Sequence, residues 1–173
     1  MLILNKINII DNNKNLNLNL VALGLEKKII LIDLNTLSIY QEIFVPSEVY
    51  SLAQFNDDTN DLICSLSNGQ LIIFILKDNK YEQFQILEKP KDINREEINK
   101  VITLSNGDLA TAERGALSIW KPKIFEGKKT FEFFKEIITD YDTCHLLEVN
   151  PRVFACAIRI SDEIRIYKND EEN

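Results

Sequence analysis

The segment INKVITLSNGDLATAERGALSIWK, residues 98–121, contains the pattern that decides the fold. It begins with an apolar stretch, passes through the Gly-containing turn SNGD, and continues as a second stretch with Thr111 at its centre. A further short turn leads to a third stretch that ends at Trp120. Short apolar stretches bounded by turn residues are typical of β-strands. The segment is therefore predicted to form three antiparallel strands joined by tight turns.

The same layout occurs four times along the 173 residues. A strand with a small residue inside it is followed by a tight turn and by a strand that ends in a large apolar residue. The repeats lie at 20–33, 62–76, 109–121 and 154–168. The large residues are spaced 42, 46 and 47 positions apart, and they are Ile32, Phe74, Trp120 and Tyr167. The small residues near the start of each repeat are Ala22, Cys64, Thr111 and Cys156.

Further strands flank each repeat. Apolar stretches at 7–10, 49–55, 98–104 and 144–149 precede the four repeats, and half-polar stretches at 37–44, 81–88 and 130–137 follow the first three. Helix is the competing interpretation for 95–104 and 130–140, but Asn99 and Lys100 interrupt any broad apolar helical face in the first, and β-branched and aromatic residues favour a strand in the second. Each unit thus has four antiparallel strands, as in the blade of a β-propeller. The predicted blades span about 1–47, 48–95, 96–140 and 141–168, followed by an acidic tail at 169–173.

The third repeat resembles a WD-repeat core, and 160–168 resembles the end of another, with Asp162 near the family's turn Asp and Tyr167 in its Trp position. The period is close to the roughly 40–45 residues of that family. The motifs are degenerate, since there is no Gly-His pair and Lys121 follows Trp120. With His145 placed within an inner strand, the family's His–Ser/Thr–Trp–Asp hydrogen-bond network is not expected here.

The fourth unit ends after its third strand, and we expect an open arc of about four blades rather than a closed ring. An arc would leave strand edges and apolar blade faces uncovered, which favours self-association or a complex with another chain. A fragment of a larger propeller that another chain completes is an alternative interpretation.

Composition and charge narrow the classes of partner. The formal net charge of -7 disfavours nucleic acid and anionic membranes as partners. The three cysteines form no disulfide framework or metal motif, and Cys64 and Cys156 are predicted to be small core residues. With neither a signal peptide nor a membrane-spanning stretch recognised, a cytoplasmic or nuclear location is expected.

No group of residues predicts catalysis, a metal site or a cofactor. The single His145 has no motif that would place it beside a nucleophile, and the Gly-containing turns lack phosphate-binding spacing. The acidic pairs lie in predicted loops or at strand ends. We therefore expect a non-catalytic protein without cofactors.

The resemblance implies a protein–protein interaction scaffold that contacts partners through the turns between the second and third strands. The expected contact residues in these turns are Glu26, Lys27, Asn68, Glu113, Arg114 and Asp162. The alternative is a propeller that handles a small molecule or carbohydrate, either a hydrolase or a lectin-like protein. That alternative needs polar groups on the inner strands, and the candidates are Asn8, Ser51, Asn99 and His145.

Overall fold

The computed structural model describes residues 2–4, 7–11, 14–55, 57, 59–90, 97–151, 153–158 and 163–168, and every regular element in these ranges is a β-strand. The predicted all-β class is confirmed, and in the two stretches for which helix was the alternative, residues 98–103 and 130–140 are strands. The strands are β1 (Leu2–Ile3), β2 (Ile7–Asp11), β3 (Lys14–Leu18), β4 (Leu20–Gly24), β5 (Lys28–Asp33), β6 (Ser38–Phe44), β7 (Val49–Gln54), β8 (Leu62–Leu66), β9 (Leu71–Lys77), β10 (Lys80–Leu87), β11 (Ile98–Thr103), β12 (Leu109–Phe125), β13 (Lys128–Asn150), β14 (Val153–Ile158) and β15 (Ile164–Lys168).

Blades 1 and 2 are four-stranded antiparallel sheets. Blade 1 has the strand order β1-β4-β5-β6, and blade 2 comprises β7, β8, β9 and β10 in sequence. Val21 lies opposite Ile32 in blade 1, and Leu62 lies opposite Phe74 in blade 2. The two sheets therefore place their third strands in the same way against their second strands.

Blade 3 contains a strand that reverses direction. Trp120 Nε1 donates a hydrogen bond to Thr111 Oγ1 at 3.3 Å, although both residues belong to β12. Nine residues of straight strand would span about 30 Å, so the two halves of β12 must fold back on each other. The reversal is at Gly115, whose φ of 74° suits a residue without a Cβ. β12 thus supplies the second and third strands of blade 3, beside β11.

β13 passes from blade 3 to blade 4. Its first part pairs with the end of β12, from Phe125 opposite Lys128 to Arg114 opposite Asp142. Its last part, from Thr143, pairs with β14, and β14 pairs with β15. Blade 4 therefore has three strands among the described residues, with Phe154 opposite Tyr167.

The predicted inner strand of the first unit was wrong. Residues 7–10 do not pair with β4; β2 instead forms a separate two-stranded hairpin with β3. The strand beside β4 is β1, with Leu2 opposite Ala22 and Ile3 opposite Val21. The sequence favoured the longer apolar stretch at 7–10 as the partner of β4. In the structure the short strand β1 takes that place instead.

Three apolar clusters lie between successive blades. Phe74 of blade 2 packs into the cluster that it shares with Leu31 of blade 1. Trp120 of blade 3 lies in the next cluster with Ile73 of blade 2. Tyr167 of blade 4 packs against the third cluster, which contains Ile119 of blade 3. We call the face of a blade that points to the preceding blade its N-side face, and the opposite face its C-side face.

This register corrects one part of the predicted repeat alignment. Ile32, Phe74 and Tyr167 occupy equivalent N-side positions, because each lies opposite the corresponding residue of the second strand. Cys64 lies two residues after Leu62 and therefore matches Leu23, which lies two residues after Val21. It does not match Ala22, which lies opposite Leu31 on the C-side face. The small residue of the first unit had been aligned one position too early, and in a strand a one-residue slip exchanges the two faces.

The two ends of the arc are uncovered. Phe74 and Trp120 are 0% and 1% exposed because the preceding blade covers them, whereas Ile32 is only half-buried. Ile164 and Ile166, on the C-side face of blade 4, are 72% and 61% exposed. Among the described residues nothing closes the gap between blade 4 and blade 1, which confirms the expected open arc.

Candidate partner-binding surface

Three turns between second and third strands lie at the same end of their blades, because the blades are antiparallel sheets of the same topology. We call them the upper turns, and they are residues 25–28, 67–70 and 113–115. In the first, Glu26 and Lys27 are exposed. Leu25 N donates to the carbonyl of Lys28 at 2.9 Å, and Val49 N of blade 2 donates to the carbonyl of Leu25 at 3.1 Å. The turn is thus closed on itself and tied to the next blade.

The second upper turn is fixed in a similar way. Gly69 N donates to the carbonyl of Leu66 at 3.0 Å, and the side-chain Nδ2 of Asn68 donates to Gln70 Oε1 at 2.9 Å. Ser67 N donates to the carbonyl of Glu48, which lies in the connection between blades 1 and 2. Asn68 is exposed, as a contact residue must be.

The third upper turn is anchored by a buried ion pair. Lys89 Nζ bonds to a carboxylate oxygen of Glu113 and lies 3.2 Å from Glu136 Oε1. Lys89 comes from the connection between blades 2 and 3, and it is 8% exposed. Its ammonium group also lies 5.8 Å from the centre of the Phe133 ring. The sequence carries no signal for the burial of Lys89, because both of its carboxylate partners are distant in sequence.

The predicted contact residues thus fall into three groups. Glu26, Lys27, Asn68 and Arg114 are exposed on the upper turns. Glu113 is only 2% exposed and is held by Lys89, so its side chain anchors the turn from within and is not displayed on its surface. Asp162 lies outside the described residues.

Thr111 and Trp120 form a bond that the sequence analysis did not expect. Thr111 Oγ1 accepts from Trp120 Nε1 and donates to Glu113 Oε1 at 2.8 Å. Blade 3 therefore has a buried Thr–Trp hydrogen bond between its second and third strands. Glu113 and Lys89 continue it, so that the third upper turn is connected to the core between blades 2 and 3.

The inner-strand residues considered for small-molecule chemistry do not converge where they are described. Ser51 Oγ donates to the carbonyl of Val101 at 3.4 Å, and Asn99 donates to Asp142 and to the carbonyl of Thr143 at 3.1 and 3.0 Å. The bonds from Ser51 to Val101 and from Asn99 to Thr143 join neighbouring blades. His145 is exposed, and the side chain of Asn8 is outside the described set.

The described part of the chain has no group of three or more His, Cys, Asp or Glu residues arranged to hold a metal ion. Nor does any helix in it have the length and apolarity needed to cross a membrane. Burial raises the pKa of the Cys64 and Cys156 thiols to about 12, and neither side chain is accessible. Both cysteines are core residues, as predicted.

A groove of about 420 Å³ lies between the outer edge of blade 2 and the hairpin of β12 with β13. Aromatic side chains and two acidic residues line it. The groove has no signal in the sequence, since its two walls come from residues 85–88 and 123–133, at least 35 positions apart. The lining includes Glu88, Phe125, Phe131, Glu132 and Phe133.

Comparisons with known proteins support the fold alone. No protein-family model and no curated protein matches the sequence. Among solved structures, the chain is similar to the computationally designed Ika4 protein, with TM-score 0.62, 15% identity and coverage of 86% of this chain and 84% of that one. It is similar to the Cps50 (Swd1) β-propeller domain of Myceliophteria thermophila, with TM-score 0.65, 14% identity and coverage of 87% and 50%. It is also similar to a chain of the Mitotic Checkpoint Complex, with TM-score 0.66, 15% identity and coverage of 87% and 44%.

This chain therefore spans about half of the Swd1 propeller domain and less than half of the checkpoint chain. Enzymes are also among the matching structures, so the fold by itself does not select a function. The structure and these similarities together show that the chain is a partial β-propeller.

Proposed function

We propose that this chain is a non-catalytic scaffold that binds another protein through its upper turns. The observation that carries the proposal is the way these turns are held. Each one is linked to a neighbouring connection or blade, by Val49 to Leu25, by Ser67 to Glu48, and by Lys89 to Glu113. The exposed side chains on the upper turns thus stand on a fixed frame built from three blades.

A fixed frame favours binding because less conformational entropy is lost when the partner docks. Loops that a rigid scaffold positions are the usual place for binding residues. The Lys89–Glu113 ion pair contributes to this rigidity, because a buried ion pair with both partners present holds the third upper turn in one geometry. Removal of Lys89 would leave the buried carboxylate of Glu113 without its opposite charge.

The chemistry of the upper turns fits a partner with a polar, mixed-charge surface. Glu26, Lys27, Asn68 and Arg114 offer an acid, two bases and an amide within three adjacent turns. Charges on the rim of an interface act mainly on specificity and on the association rate. Reversal of a neighbouring pair of charges should thus reject the native partner without changing the net charge.

Quantitative affinity capture followed by mass spectrometry tests this proposal. The bait is the full chain, the test variant is Glu26→Lys with Lys27→Glu, and the control is Glu126→Lys with Lys128→Glu. The control pair is exposed on the turn between β12 and β13, at the other end of blade 3. We expect the test variant to lose a specific partner at least tenfold and the control to retain it.

Equal recovery with both variants would contradict the proposal, and so would the absence of any reproducible partner for a folded bait. The circular dichroism spectra of all three proteins should agree, since each substituted residue is exposed.

A further inference from the structure

The C-side faces of the four blades carry one repeated pattern. Small or aliphatic residues alternate along the second strand, and two large aliphatic residues lie opposite them on the third strand. In blade 3 the assignment follows from the cluster that these residues share. The four sets are Ala22, Gly24, Ile29 and Leu31; Ile63, Ser65, Leu71 and Ile73; Ala110, Ala112, Leu117 and Ile119; and Ala155, Ala157, Ile164 and Ile166.

The first three sets are covered and the fourth is not. Apart from the half-buried Gly24, every member of the first three sets is 0 or 1% exposed, because the next blade lies on it. In blade 4, Ile164 and Ile166 are 72% and 61% exposed, and Leu147 on the neighbouring strand is 65% exposed. The sets of blades 3 and 4 each contain two alanines and two large aliphatic residues, which are Leu and Ile in blade 3 and two Ile in blade 4. Blade 4 therefore presents the surface on which a further blade packs.

The opposite end of the arc lacks the matching cover. Val21, Leu23, Ile30 and Ile32 form the N-side face of blade 1, and the last three of these are only half-buried, with Ile39 beside them 60% exposed. The equivalent residues of blade 2 are all fully buried, and they are Leu62, Cys64, Ile72 and Phe74. Each internal contact in this chain joins one C-side face to one N-side face, so these two end faces are a complementary pair.

We propose that a second copy of this chain covers both faces, with blade 4 of each copy packed on blade 1 of the other. Two arcs of four blades then form one ring of eight, which is within the usual range of four to eight blades for propellers. The two contacts are related by a two-fold axis, so the assembly closes and does not grow into a fibre.

Electrostatics are compatible with this assembly. The net charge of -7 makes two copies repel at long range, but the end faces are aliphatic. At the rim of blade 1, Lys28 and Glu42 form an ion pair with each other at 2.7 Å and add no net charge. Salt screens the long-range repulsion and leaves apolar contacts intact, so association should become tighter as salt increases.

Sedimentation equilibrium of the full chain at micromolar concentration tests the proposal, and we expect a mass of about twice 20.0 kDa. Ile166→Glu places an unpaired charge on the C-side face of blade 4, and Ile32→Glu does so on the N-side face of blade 1. Each should weaken dimerisation by roughly a hundredfold or more. Ile124→Glu is the control, because Ile124 is 70% exposed on the β12–β13 hairpin, away from both end faces.

Mixing the two disrupted variants sharpens the test. The Ile32→Glu chain keeps an intact blade 4 face and the Ile166→Glu chain an intact blade 1 face, so their mixture should form a dimer through one native contact. A monomer at all concentrations would overturn the proposal, as would higher oligomers without a closed dimer. A dimer that Ile166→Glu disrupts and Ile32→Glu does not would show blade 4 paired with blade 4, which also overturns it.

The result is separable from the proposed function. The variant with Glu26→Lys and Lys27→Glu changes the upper turns only, and it should remain a dimer whether or not it loses its protein partner.

Discussion

Blades 3 and 4 have nearly the same side chains on their C-side faces and opposite exposures. Leu117 of blade 3 is 1% exposed, and Ile164 at the equivalent position of blade 4 is 72% exposed. Full burial of such a side chain stabilises a protein by about 1.5–3 kcal/mol. The strand pattern is therefore a local property of the sequence, but the stabilisation it gives depends on whether another blade lies on that face.

The largest effect should come from Trp120→Ala. Trp120 is almost fully buried between blades 2 and 3, forms an edge-to-face contact with Phe133, and donates to Thr111. We expect the substitution to lower the free energy of unfolding by about 3–5 kcal/mol through loss of packing and the cavity left behind. Urea denaturation of both proteins measures the difference.

Ile32→Ala is the comparison for Trp120→Ala, since it truncates the equivalent N-side position on a face that no blade covers. At concentrations too low for self-association, its cost should be clearly smaller. A cost for Trp120→Ala near zero would mean that the contact between blades 2 and 3 does not exist in solution.

The next effect compares the two C-side faces directly. Leu117→Ala should cost about 2–5 kcal/mol, because Leu117 is enclosed by blade 4. Ile164→Ala should change the stability of the isolated chain by less than about 0.5 kcal/mol, because its side chain already faces solvent. Both are measured by denaturation at concentrations too low for self-association. Equal costs for the two substitutions would contradict the difference in exposure between the C-side faces of blades 3 and 4.

A smaller effect concerns the close approach of blades 1 and 2. A Cβ atom added at Gly24 would lie 2.5 Å from Val49 Cγ1. Gly24→Ala should therefore cost about 1–3 kcal/mol by overpacking. Ala157→Val enlarges the equivalent position on the bare face of blade 4, and at concentrations too low for self-association we expect little change there. Thermal unfolding measures both, and a neutral Gly24→Ala variant would contradict the observed contact.

The last prediction concerns the accessibility of the buried thiols to a chemical reagent, and it involves no change in stability. Cys64 and Cys156 are fully buried, and burial raises the pKa of both thiols to about 12. Because the thiolate is the reactive form, neither should react with a disulfide reagent at neutral pH. We expect at most one of the three thiols to be labelled in the native protein and all three in denaturant. Rapid labelling of Cys156 in particular would show that blade 4 separates readily from blade 3.

Much of the architecture could be predicted because strand patterns are local. Turn residues and alternating apolar positions located most strands of blades 2, 3 and 4, and the regularly spaced Phe74, Trp120 and Tyr167 each pack against the preceding blade. Blade 1 was less predictable. The choice between β1 and β2 as the partner of β4, and the one-residue shift between Ala22 and Leu23, depend on pairing between strands.

The candidate surface was predictable to a lesser degree. The upper turns were found from their turn residues, and Glu26, Lys27, Asn68 and Arg114 are exposed as contact residues must be. Glu113 looked like another exposed turn residue. Its burial against Lys89 depends on two segments 24 residues apart that meet only when blades 2 and 3 pack together.

The sequence by itself determined that the chain forms antiparallel strands in repeated units, because alternation and turn chemistry act over a few neighbouring residues. Only the tertiary structure decided which faces are covered, where the buried Lys89–Glu113 pair lies, and that the arc ends in two bare apolar faces. Burial is a property of the neighbours that a face meets in space, so nearly the same side chains become core in blade 3 and surface in blade 4.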